Sequence, residues 1–116
     1  MITTASDLAN FDNALRLPGG LLSRDALTMM WTQAGGASPL QTGLGWFVQN
    51  YRNEPLVWQF DLTRDVASSL IVKLPNRDLT FIVLANSDGL TRTSNLAAGD
   101  ALASPFVKLF LSFFVP

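Results

Sequence analysis

LVWQFDLTRDVASSLIVKLPNRDLTFIVLANSDGL, running from Leu56 to Leu90, decides how the rest of this chain is read. Within it, Ile71 to Leu74 and Thr80 to Ala85 are short apolar runs bounded by turn residues, the pattern of strands in a sheet covered on both faces. Pro75-Asn76-Arg77-Asp78 joins them. Proline fixes its own φ, and Asn76 and Asp78 accept turn geometry, so the two runs read as an antiparallel hairpin. A further strand, Pro55 to Phe60, precedes them across a short irregular turn. The remaining segments then read as helices laid against this sheet, or strands added to it.

Working outward, Thr4-Ala5-Ser6-Asp7 fits a capping box at the start of a first helix, whose apolar face carries Ala5, Leu8, Phe11 and Leu15. Leu17-Pro18-Gly19-Gly20 ends it. Ser23 opens a second helix, with Leu22 and Leu27 placed as a hydrophobic staple. Leu27, Met30 and Trp31 form its stripe, which reads as core, and Gly35-Gly36 closes it. Gly43 to Gln49 reads as a strand with Leu44 and Trp46 on one face, and Asn50 to Glu54 as the turn after it. Beyond the central stretch, Ser87-Asp88-Gly89 turns the chain away, and Thr91 to Gly99 reads as a loose polar loop. Ser104-Pro105 starts the last helix, a serine cap followed by proline at the first helical position. Phe106 to Phe114 is apolar on nearly every side, so this helix is expected to be buried all round. The expected fold is α+β: an antiparallel sheet of three to four strands, two helices before it and one apolar C-terminal helix after it. All of it forms a single domain over 1–116, helical in 1–36, sheet in 43–86 and helical again in 104–114.

Composition narrows the chemistry. The 116 residues are 48% hydrophobic and only 15% charged, against about 25% charged in an average domain. So few charges suit either an apolar surface that meets a partner or a surface rich in neutral polar side chains. The net charge is −1 with the basic residues scattered, which recommends no nucleic acid. There is no cysteine and no histidine. That excludes disulfides, thiol catalysis and any Ser-His or Cys-His arrangement, together with imidazole metal sites. The amino terminus has no basic start followed by an apolar run and does not read as a signal peptide. No apolar stretch reaches the ~18 residues of a membrane span, so no membrane span is expected, and the compartment stays open.

Several of these segments together resemble a known family. Ala67-Ser68-Ser69, the run closing on Leu74-Pro75 and the strand ending Leu84-Ala85-Asn86 look like the C-terminal sheet of the β-lactamase-like serine hydrolases. That family holds class C β-lactamases, penicillin-binding proteins and related esterases. Thr4-Ala5-Ser6-Asp7-Leu8 resembles the helix start that precedes this sheet, and Gly43-Leu44-Gly45-Trp46 its first strand here. The resemblance covers nearly the whole chain but only the later part of the family's domain. It implies that the final helix would pack beside an N-terminal helix that this chain lacks.

The family's chemistry begins with a serine activated by a lysine three residues on, one helical turn away. None of Ser6, Ser23, Ser38, Ser68, Ser69, Ser87, Ser94, Ser104 and Ser112 has lysine at that spacing. A second motif, Tyr-x-Asn, is matched in letters by Tyr51-Arg52-Asn53, but this lies between two strands rather than in a helical segment, and reads as a decoy in a turn. A third motif, Lys-Thr-Gly or His-x-Gly on the strand edging the active site, falls on Gln59-Phe60-Asp61. Glutamine there replaces a histidine. Asp61 puts a negative charge and a Cβ where the backbone would approach a substrate. These three residues are the candidate ligand contacts, and no catalytic residue is assigned.

Other groupings are weaker. Asp61, Arg64 and Asp65 suit either a bracket around a small polar ligand or, as the default, a solvated turn with an exposed ion pair of little energetic weight. Asp7, Asp12, Asp25, Asp78, Asp88 and Asp100 match no calcium-loop spacing, so no metal site is expected. Gly43-x-Gly45 lacks the third glycine of a dinucleotide fingerprint, and no cofactor is expected. The resemblance thus implies the C-terminal portion of a serine hydrolase, inactive by itself. The alternative is a non-catalytic module that self-associates through its apolar helix and sheet edge. The expected partners are correspondingly a second copy of the chain, as a homodimer, or the missing N-terminal half-domain.

Overall fold

The computed structural model describes residues 2–17, 20–32 and 41–116. Two helices, α1 (Ala5–Arg16) and α2 (Arg24–Met30), precede four strands, and α3 (Pro105–Phe114) follows them. The strands are β1 (Phe47–Tyr51), β2 (Glu54–Thr63), β3 (Ala67–Leu74) and β4 (Leu79–Ala85). They form one antiparallel sheet in chain order, β1-β2-β3-β4. The fold is therefore α+β with the helices placed as the sequence implies.

Local chemistry explains most boundaries. The Thr4 hydroxyl accepts from the Asp7 amide at 3.1 Å, and the Ser23 hydroxyl from the Ala26 amide at 3.1 Å. Both satisfy donors that a helix start leaves without partners. Ser104 caps α3 in the same way, with Pro105 at the first position. Between β1 and β2 the chain turns in two residues, Arg52 and Asn53, both at positive φ (50° and 66°). Such a turn matches the twist of a hairpin. A single 3-10 turn, Pro75–Arg77, closes the β3–β4 hairpin, with Asp78 at φ 55° completing the reversal.

The register sorts side chains onto two faces. Trp58 pairs with Val72, and Val72 with Phe81; Phe60 pairs with Leu70, and Leu70 with Val83. Leu56, Trp58, Leu70, Val72 and Leu74 meet Val107, Phe110 and Leu111 of α3 in one buried cluster with Leu90, Leu96 and Ala101. The Phe81 and Phe110 rings stack at 4.9 Å. On the opposite face, Val57, Lys73 and Thr80 lie in register, as do Gln59, Ile71 and Ile82, and this is the face that carries α1.

Four expectations are corrected. The strand read from Gly43 begins only at Phe47, because Gly45 takes φ 77° and bends the chain; Thr42 keeps one bridge to Phe47. On α1 the buried residues are Asp12 and Leu15, whereas Phe11 is 53% exposed, so the helix is rotated toward a polar contact. The segment from Thr91 to Gly99 is packed rather than loose: Thr91, Ser94 and Leu96 are buried, and the Thr91 hydroxyl donates to the Asp61 carbonyl at 3.1 Å. Finally, α3 is buried on one face only, leaving Phe106, Leu109 and Phe113 exposed, the last at 72%. α2 ends at Met30, and Gly35-Gly36 lies outside the described residues, as do Pro18 and Gly19.

Candidate functional site

The α1 face of the sheet holds a polar hub in an apolar setting. Lys73 sits in the middle of β3, only 1% exposed. An ammonium there requires a partner, because an unpaired charge in an apolar environment is costly. It finds the Asp12 carboxylate, which α1 delivers from 61 residues away. The other Asp12 oxygen accepts from the Thr80 hydroxyl at 2.6 Å and from Arg16 Nε at 3.1 Å. Arg16 continues the chain of contacts to Asp78, in the β3–β4 connection, and to Asn13. The Lys73 ammonium also lies over two indoles, 4.6 Å from the Trp46 ring centre and 5.0 Å from that of Trp31. Both rings present electron-rich faces to the cation.

Burial nevertheless wins at this lysine. Desolvation pushes the Lys73 amine below its ordinary value of 10.5, while the hydrogen bond to Asp12 and its negative charge pull the other way. The native state thus releases this proton before the unfolded chain does. Between the lowered native value and 10.5 the unfolded state binds more protons, so this group makes stability rise with pH. Urea unfolding followed from pH 7 upward is expected to show that rise, and Lys73→Met is expected to remove it.

Beside the hub a cleft of about 600 Å³ opens between α1 and the sheet. Leu8, Phe11, Trp46, Ile71 and Ile82 supply apolar walls, and Gln59, Asp61, Ser69 and Lys73 are among the polar residues that line it. All three candidate residues from the sequence, Gln59, Phe60 and Asp61, border this cleft. Their side chains part company, however. The Phe60 ring stacks with Phe47 and Trp58 at 6.1 and 6.2 Å and belongs to the aromatic layer under α3. Gln59 donates to the Gly45 carbonyl at 3.1 Å and accepts from the Phe60 amide at 3.0 Å, which ties the chain before β1 to β2. Asp61 is exposed and forms no ion pair among the described residues. β1 pairs with β2 only as far as Trp58, so from Gln59 onward β2 has β3 on one side and no strand on the other among the described residues.

The remaining sequence candidates lie elsewhere. Tyr51-Arg52-Asn53 forms the β1–β2 hairpin tip, with Tyr51 paired to Glu54, at the far end of β2 from Asp61. Arg64 and Asp65 are exposed in the β2–β3 turn. There the Asp65 amide donates to Asp88 at 2.9 Å and, with Arg92 adding a positive charge, holds the Asp88 carboxyl below its ordinary value of 3.8. No group of three or more potential metal-ligating side chains stands together among the described residues, and none of their helices is long and apolar enough to cross a membrane.

Sequence pattern alone does not single out Asp12 and Lys73, the two residues around which this face is built. Lys73 lies inside a run that reads as apolar, and Asp12 is one of several scattered carboxylates. The signal in the sequence is a lysine flanked by Leu70, Ile71, Val72 and Leu74, since such a position calls for a buried carboxylate. No family model, curated protein or solved structure matches the chain.

Proposed function

We propose that this chain is the C-terminal portion of a β-lactamase-like serine hydrolase domain and carries no hydrolytic activity by itself. The observation that supports its lack of activity is the state of the two serines and the lysine bordering the cleft: the Ser68 hydroxyl donates to the Ser87 carbonyl at 2.6 Å. Ser69 and Lys73 share one face of β3, but four residues along a strand separate them by about 13 Å, beyond proton-transfer reach. Lys73 is moreover engaged by Asp12. Neither side chain is placed to activate the other. Incubation with a fluorophosphonate probe and with a fluorescent penicillin, followed by intact mass, tests the reading. No stoichiometric adduct is expected; an acylated or phosphonylated serine would refute it.

The exposed stripe of α3 favours a second reading, a module that self-associates. Phe106, Leu109 and Phe113 recur at helical spacing on the face turned away from the core. Such a surface gains by pairing with a second copy. Light scattering on the purified chain decides it: a concentration-dependent dimer that Phe113→Glu converts to monomer supports this reading, and a monomer at high concentration removes it.

A further inference from the structure

We propose that the cleft between α1 and the sheet binds a small organic cation, a primary ammonium carried on an aromatic or branched aliphatic body. Its volume, about 600 Å³, falls within the ~300–1,000 Å³ of small-molecule sites. Leu8, Phe11, Trp46, Ile71 and Ile82 give it the predominantly apolar walls of such sites. Charge then selects the ligand. Among the described residues only two titratable side chains line the cleft, Asp61 and Lys73.

These two are not equivalent. The Lys73 ammonium is spent on Asp12 and lies over the rings of Trp31 and Trp46. With 1% of the residue exposed, it offers no donor to an incoming anion. Asp61 is exposed on the same face, opposite Ser69, with no ion pair among the described residues. Among the described residues the cleft therefore presents apolar walls and one unmatched carboxylate. Against these residues an anionic ligand would meet Asp61 without an accessible cation, whereas an ammonium would meet a charge partner beside a surface for its apolar body. Ser69, next to Asp61 across the strand pair, adds a hydroxyl that accepts from the same ammonium.

This inference stands apart from the family reading, since reversible cation binding and covalent labelling fail independently. Three probes of one shape separate the contributions: 3-phenylpropylammonium, 3-phenylpropanol and 3-phenylpropanoate, titrated at low ionic strength by calorimetry and by tryptophan fluorescence. The ammonium is expected to bind saturably and up to about fivefold tighter than the carboxylate, the upper end of the scale of a solvent-accessible ion pair. Asp61→Asn, an exposed change that leaves the circular dichroism spectrum intact, is expected to abolish that preference. Ile82→Trp, which fills the cleft, is expected to abolish binding of all three. Absence of saturation at millimolar ammonium, equal binding of ammonium and carboxylate, or a preference that survives Asp61→Asn would overturn the proposal. Unchanged binding in the Ile82→Trp variant would place the site elsewhere and overturn it as well.

Discussion

Asp12→Ala is expected to destabilise the protein by about 3–5 kcal/mol, the scale for removing one partner of a buried ion pair. The loss is large because Asp12 serves three donors at once: Lys73, Thr80 and Arg16. Arg16 keeps Asp78 and Asn13, and Thr80 is only half-buried, so the main damage falls on the ammonium of Lys73. Without the carboxylate that raised it, the Lys73 amine shifts further down. The deficit of the variant is therefore expected to shrink as the pH rises above neutrality, because the lysine can then be buried uncharged. Urea unfolding at several pH values measures this. Asp12→Leu combined with Lys73→Met is expected to recover most of the loss, since an apolar pair of similar volume avoids both desolvation costs. A double variant as unstable as Asp12→Ala would show that the hub matters for its shape rather than its charges.

Trp58→Ala is expected to cost about 3–5 kcal/mol as well, for a different reason. The indole is fully buried at the centre of the α3 face, stacked on Phe47 at 4.4 Å and paired across the strands with Val72. Removing it opens a cavity between β1 and β3 that Phe60 is positioned to fill only in part. Against the roughly 5–15 kcal/mol that holds a typical domain together, the loss is a large fraction of the total. Trp58→Phe separates volume from polarity. The indole Nε1 finds no hydrogen-bond partner among the described residues, and phenylalanine removes that buried donor while keeping most of the stack. Thermal unfolding is expected to place Trp58→Phe far closer to the parent than Trp58→Ala.

Features set by neighbours in the chain were legible. Thr4, Ser23 and Ser104 announced three helix starts by residue type alone, and each hydroxyl accepts the amide that the motif assigns to it. Pro75 to Asp78 announced a hairpin and forms one. What escaped was set by distant contacts or by one backbone angle. Gly45 sits in the left-handed region and delays β1, although Leu44 and Trp46 on their own suit a strand. Leu96 is fully buried inside a segment whose composition reads as polar, because one leucine beneath a loop is enough to anchor it. The face that α1 buries departs from its apolar pattern because Asp12, a charged residue, is held by the sheet. The candidate contacts Gln59, Phe60 and Asp61 do border the cleft, yet so does Lys73, whose partner no local pattern specifies.

Strand order has a consequence for the route by which the chain folds. Because β1 to β4 are neighbours in sequence and in space, the sheet can be assembled entirely from hairpins, each closing a loop of a few residues. Contacts of that kind form early, since little chain entropy is lost in making them. The Asp12–Lys73 link spans 61 residues and joins a helix to a sheet that must already exist to present the lysine. The hub is thus a late event, a latch fastened after the sheet is built. Breaking it should leave the speed of refolding nearly untouched and shorten the lifetime of the native state instead.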